Sequence, residues 1–215
     1  MNLRITQTVT FSAFILGAAL FQFGCATTGN QRSADASNTM KAVEQDYMDT
    51  LTQIDVTNSS LQSLIEPGQP DEMKAYHQYS DNVYKMRDLG KRLLERAEQM
   101  NSQQKNYFAE WRMQGNTYTD PQIEALSEQR RADLGEVFAN ISVASVGVKG
   151  SLKAYISDNK QIKTYLSTDL TPKGVDAITP TVQQAIADGA NLKDAVTPVL
   201  AAIGNARTEL AQGGN

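Results

Sequence analysis

Residues able to carry chemistry are scarce in this chain. It holds one cysteine, one histidine and one tryptophan among 215 residues, and aromatics make up only 7%. A lone cysteine, Cys25, excludes an internal disulfide. A lone histidine, His77, is too few for the usual metal sites. Zinc takes three or four ligands drawn mainly from His and Cys, and a di-iron bundle needs two Glu-x-x-His pairs, whereas Lys74 stands three residues before His77. His77 and Asp81, one turn apart, offer a weak two-ligand arrangement on what reads as a solvated helix face. Serine- and cysteine-based triads would depend on that same histidine. No phosphate-binding loop is present: Gly147 to Ser151 lacks the Gly-Lys step and falls inside a helical pattern. Basic residues number 20 against 24 acidic ones, a net charge of −4, with no basic cluster, so nucleic acid is not an expected partner. These absences leave no catalytic, cofactor-binding or metal site to name, and the chain is expected not to be an enzyme.

Only one long apolar run occurs. Val9 to Phe23 follows a short segment whose one charge is Arg4, and ends at Gly24-Cys25. Its roughly 15 residues suit a signal-peptide core and are short for a membrane span. The arrangement resembles the lipobox of bacterial lipoproteins. Gly24 and Cys25 fit that pattern, with Gln22 and Phe23 in place of its usual aliphatic and small residues. The resemblance implies cleavage before Cys25, acylation of its thiol and new amino group, and a permanent anchor, each buried methylene contributing ~0.8 kcal/mol. Ala26 after the cysteine, rather than Asp, implies sorting to the outer membrane, with the body facing the periplasm. Two alternatives stand beside this reading. Gly24 and Ala26 also form a small-x-small cleavage site that would release a soluble periplasmic protein, and an uncleaved segment could serve as the anchor. Removing residues 1–24 takes the net charge to about −5, from 19 basic and 24 acidic residues.

The rest of the chain is dominated by helical periodicity. Ala26 to Asn38 is polar and aperiodic, and reads as a flexible tether standing the body off the lipid. Met40, Val43, Tyr47, Leu51, Ile54, Leu61 and Ile65 recur at steps of three or four, predicting a helix from about Ala36 to Ile65 with Asn58 in its apolar stripe. Asn58 either fixes register between helices or faces a wet gap. Glu66-Pro67-Gly68-Gln69-Pro70 turns the chain. A longer seam runs from Tyr79 to Trp111, answered by another from Ile123 to Leu166. Between them, Gly115-Asn116 and Asp120-Pro121 supply a helix stop, an N-cap and a first-turn proline.

The two seams define an antiparallel hairpin, residues 70–168, whose first arm is about 65 Å long. Pairing about Thr117 predicts Met100 opposite Leu134, Ala97 opposite Val137, Leu93 opposite Ile141, Met86 opposite Val148, Gly90 opposite Ala144 and Tyr79 near Tyr155. Arg130 and Gln104 then meet as a polar layer. The small, glycine-rich stretch Ser142 to Ser151 reads as part of a helix, compensated by close packing, a bend or a partner surface, because glycine costs ~1 kcal/mol against alanine there. Asp88/Arg92 and Lys91/Glu95 read as solvated i,i+4 pairs. Trp111, beside Tyr107 and Tyr118, either closes the core at the turn or caps the tip for a partner. Beyond Leu170, three Thr-Pro steps at Pro172, Pro180 and Pro198 predict two shorter helices or one kinked helix within 172–212.

The expected architecture is all-α: a long antiparallel coiled-coil hairpin in an elongated bundle of about four helices. Residues 1–24 form a signal peptide, 25–38 a tether and 39–212 the bundle. Tyr107 to Trp111 (Tyr-Phe-Ala-Glu-Trp), the Tyr165-Leu166 helix end, Leu170-Thr171-Pro172 and Val175 to Ile178 resemble a family of uncharacterised, coiled-coil envelope lipoproteins of Gram-negative type, a domain of unknown function. That resemblance implies a secreted helical lipoprotein and assigns no activity and no site beyond lipid attachment at Cys25. The function expected is that of a spacer or protein-interaction module held at the membrane, its partner an unidentified envelope protein or a second copy of itself. The alternative is a periplasmic carrier or chaperone holding an apolar ligand or client between helices, with a gap near Ala144 as its mark.

Overall fold

The computed structural model describes residues 28–212. The expected signal peptide, Cys25 and the last three residues lie outside that range. Five helices and no strand occur among the described residues: α1 Gly29–Leu64, α2 Glu72–Gly115, α3 Pro121–Ala144, α4 Val148–Thr168 and α5 Pro172–Gln212. Together α3 and α4 make one broken arm, so the chain folds as a four-stem, up-and-down bundle. In it α1 packs on α2 and α5, and the α3–α4 arm closes the opposite side against α5 and α2. The all-α expectation holds.

The first helix begins earlier than its apolar pattern predicts. The Thr28 side chain accepts from the Gln31 backbone while Gln31 reaches back to the Thr28 backbone, a capping box that starts the helix at Gly29. Residues 29–38 are thus helix rather than tether. They are held by tertiary bonds, Arg32 Nη2 to Gln114 Oε1 (2.8 Å) and Ser33 Oγ to the Leu210 carbonyl (3.3 Å), with Thr39 Oγ1 on Gln103 Oε1 just beyond. The sequence looks aperiodic because only one of these positions, Ala36, is buried.

The second arm is not continuous. The chain leaves α3 at Ser145 and enters α4 through Gly147, whose φ of +84° is a left-handed conformation that glycine adopts without steric cost. The glycine-rich stretch is therefore a break rather than a closely packed helical segment. Buried Ile141 and Val148 flank it.

The hairpin register also differs from the expected one. Gly90 lies under Ile156 and Leu152, not Ala144: a Cβ there would stand 2.5 Å from Ile156 Cδ1. The offset is about two to three helical turns. Nearer the turn, the Trp111 indole donates to Ser127 Oγ at 3.0 Å, one turn from the expected pairing. Farther out, Tyr79 lies near Tyr155 as expected and bonds Asn159, one turn on, so the offset is largest at the level of Gly90.

Only one of the three Thr-Pro steps begins a helix. At Pro172 the Thr171 hydroxyl accepts from Gly174 N (3.2 Å). Pro180 and Pro198 lie inside α5, both on its solvent side, where a missing amide bond is exposed to water and the helix can bend around the core. The hydroxyls of Thr179 and Thr197 each bond a carbonyl one turn back, at Val175 (2.9 Å) and Lys193 (3.3 Å).

Candidate functional site at the end of the bundle

Three bonds bring four chain segments to one end of the bundle. Arg32 on Gln114 sets the start of α1 beside the end of α2. Ser33 on the Leu210 carbonyl sets the end of α5 at that level, and Trp111 on Ser127 brings in the start of α3. Between them opens a cleft of about 590 Å³, lined by Arg32, Ser33, Tyr107, Trp111, Arg130 and Leu210, among others. Tyr107, Trp111 and Tyr118 are its aromatic lining residues, and the first two join a wider aromatic cluster with Phe108 and Phe138. Tyr107 meets Trp111 edge-on at 5.8 Å and stacks on Phe138 at 6.2 Å, and Phe108 meets Phe138 edge-on at 5.3 Å. Partial burial pushes the Tyr107 phenol up from its ordinary value, against weaker opposing fields from Arg32 and Arg130.

The expected Arg130–Gln104 layer does not form. The Arg130 guanidinium instead pairs with the Glu209 carboxylate and donates to the Glu209 carbonyl at 2.9 Å, tying α3 to α5. Gln104 is buried, and its Nε2 has no hydrogen-bond partner. Trp111 packs half-buried against the core, as the core-closing reading expects.

Past Arg130 the α3 seam runs off the bundle. Ile123 and Leu126 carry its apolar period but are exposed, Leu126 to 72%. Met113 (73%) and Tyr118 join them across the α2–α3 turn. Periodicity marks these residues as apolar and on one face. It does not show that this face is exposed among the described residues.

A second polar cluster lies toward the opposite end of the bundle. Tyr79 donates to the Asn159 carbonyl and to Asn159 Oδ1, at 2.9 and 3.1 Å. Tyr155 donates to Asn58 Oδ1 at 2.7 Å, and Asn58 Nδ2 donates to the Ile186 carbonyl at 3.1 Å. Asn58 is thus a register-fixing polar residue. It fits because Gly189 has no side chain: a Cβ there would stand 2.6 Å from Asn58 Nδ2 and 2.8 Å from Tyr155. Burial drives both Tyr79 and Tyr155 phenols well above their ordinary range. The cluster is neutral and hydrogen-bonded, and holds four stems in one register.

Charge is used between helices more than along them. Lys91 and Glu95 pair as expected, 3.8 Å apart. Arg92 does not pair with Asp88: it turns to Asp46 (2.8 Å) and Asp49 (3.2 Å) on α1, and Asp88 takes Arg87. Arg96 also reaches Asp46 (3.0 Å), whose side chain is only 2% exposed. His77 is exposed, and no group of three or more His, Cys, Asp or Glu residues suited to a metal occurs among the described residues. No helix among them is long and apolar enough to cross a membrane.

The chain matches no protein-family model, no curated protein and no solved structure. The envelope-lipoprotein resemblance therefore rests on the residues quoted for it.

Proposed function

We propose that this protein is a non-enzymatic, lipid-anchored component of the bacterial envelope, attached through Cys25 to the outer membrane. Its helical bundle would face the periplasm as a spacer or protein-interaction module, with an unidentified envelope protein as partner. One sequence observation carries the reading. The only cysteine stands directly after Gly24 at the end of the only long apolar run, where lipid attachment requires it. The capped start of α1 at Thr28 lies three residues after Cys25, so the folded body begins close to the proposed anchor.

The test is the intact mass of the mature chain recovered from membranes. A chain starting at Cys25 with added acyl mass is expected. An unmodified soluble chain starting after Ala26 would rule the anchor out. A second reading, a periplasmic carrier or chaperone, draws its support from the 590 Å³ cleft with its aromatic wall and two arginines. The glycine-rich stretch near Ala144, where that reading had its mark, lends it nothing, being a helix break between buried residues.

A further inference from the structure

We infer that the α2–α3 tip, built from Met113, Tyr118, Ile123 and Leu126, is a second membrane contact, inserted into the phospholipid surface beside the lipid on Cys25. The inference rests on the anchored reading just proposed, and adds to it an orientation and a binding surface.

Chain length fixes the occupant. Three residue steps separate Cys25 from the N-cap Thr28, a reach of about 10 Å even when fully extended. Thr28 caps α1 one turn beyond Arg32, and Arg32 bonds Gln114 at the end of α2. An acylated Cys25 therefore holds this end of the bundle against the bilayer, and cannot hold the opposite end there: Met73 lies about 60 Å away along α2. The surface so placed is the apolar overhang. Ile123 and Leu126 share one exposed face of α3, beyond the Arg130–Glu209 tie. Met113 and Tyr118 flank them, and Trp111 stands half-buried behind with its indole on Ser127. Aliphatic and amphipathic aromatic side chains of this kind favour the boundary between headgroups and acyl chains. Exposed Asp120 and Glu124 alternate with Arg112 and Arg131, so the tip has no excess of positive charge to seek anionic lipid. The contact is apolar, and should be indifferent to the anionic fraction of the membrane.

The test uses the full chain, purified from membranes and reconstituted in phosphatidylethanolamine–phosphatidylglycerol vesicles. With Trp111→Phe as background, Leu126→Trp or Met113→Trp reports on the tip, and Met73→Trp on the far end. Both tip positions are exposed, so either reporter serves if the other perturbs folding. Lipids brominated on their acyl chains are expected to quench tip emission at least twofold and leave Met73→Trp unchanged, at 10% or 40% phosphatidylglycerol alike. Intact mass is read on the same sample. An acylated chain whose tip is not quenched overturns the tip contact and leaves the anchor standing; a chain without acyl mass overturns both. An unquenched tip accompanied by dimers in sedimentation assigns the surface to a second copy, and also overturns the inference.

Discussion

Tyr79 of α2 places one hydroxyl against two oxygens of Asn159 on α4, the backbone carbonyl and the side-chain Oδ1, at 2.9 and 3.1 Å. Both residues are almost fully buried, so no water competes for either bond. The same Asn159 donates its Nδ2 to the Tyr155 carbonyl at 2.9 Å, one turn back, which holds the amide facing Tyr79. Tyr79→Phe should therefore lower stability by about 1–2 kcal/mol, the cost of leaving buried acceptors unmet. Asn159→Ala should cost more, since it also opens a cavity. In a double-mutant cycle read by urea unfolding, the two losses should fall short of additivity.

Alkali should unfold the bundle through the same residues. Burial raises the Tyr79 and Tyr155 phenols above their unfolded value of about 10. The native state thus prefers the protonated form. That stabilisation is complete below pH ~10 and is lost as pH rises toward the folded pKa values, where the unfolded chain ionises first. Melting temperature should fall steeply above pH 10, and Tyr79→Phe should flatten the fall.

Asp46 and its two arginines should respond unequally to truncation. Asp46→Asn removes the buried charge that Arg92 and Arg96 share, and should cost about 1–3 kcal/mol in chemical denaturation. Arg96→Ala should cost less, on the order of 1 kcal/mol, because Arg92 still bonds Asp46 and the lost guanidinium is 44% exposed.

Two glycines of one stretch should give effects of opposite sign. Gly147→Ala forces a side chain into a left-handed conformation and should destabilise by about 1–2 kcal/mol. Gly150→Ala sits in the first turn of α4 with open space around its Cβ position, and should stabilise by up to about 1 kcal/mol. Thermal melts of the two variants should move in opposite directions.

Much of the fold was legible because burial repeats. The stripes through Met40, Val43 and Ile54, through Tyr79, Val83 and Met86, and through Leu192, Val196 and Val199 are all core. What periodicity could not give was axial position. A helix seam looks the same after sliding by two or three turns, so periodicity matches Gly90 with Ala144 although it packs under Leu152 and Ile156. The break at Gly147 hid for a related reason, since the apolar period resumes across it almost in phase. Arg92 shows the limit for charge: its i−4 neighbour Asp88 is visible in sequence, whereas Asp46, 46 positions earlier, is not. At the bundle end, Ile123 and Leu126 are legible as a stripe, but their exposure depends on how the other stems sit along α3, which periodicity does not carry. The early start of α1 had a signal in Thr28 and Gln31, which a search for apolar period passes over.

The tie between Ser33 and the Leu210 carbonyl spans 177 positions. Helices α1 and α5 lie side by side, yet all the other stems separate them along the chain. A nascent chain can pair α1 with α2 early, since only a short turn intervenes. The other flank of α1 finds its neighbour only once residues 172–212 have emerged. Until then Met40, Val43 and Ile54 line an open trough, and closing it means closing a loop nearly as long as the protein. Folding would finish at the C-terminus. Truncations there should leave a sticky three-stem intermediate rather than a smaller stable bundle, and in a cell that is a substrate for chaperones and proteases.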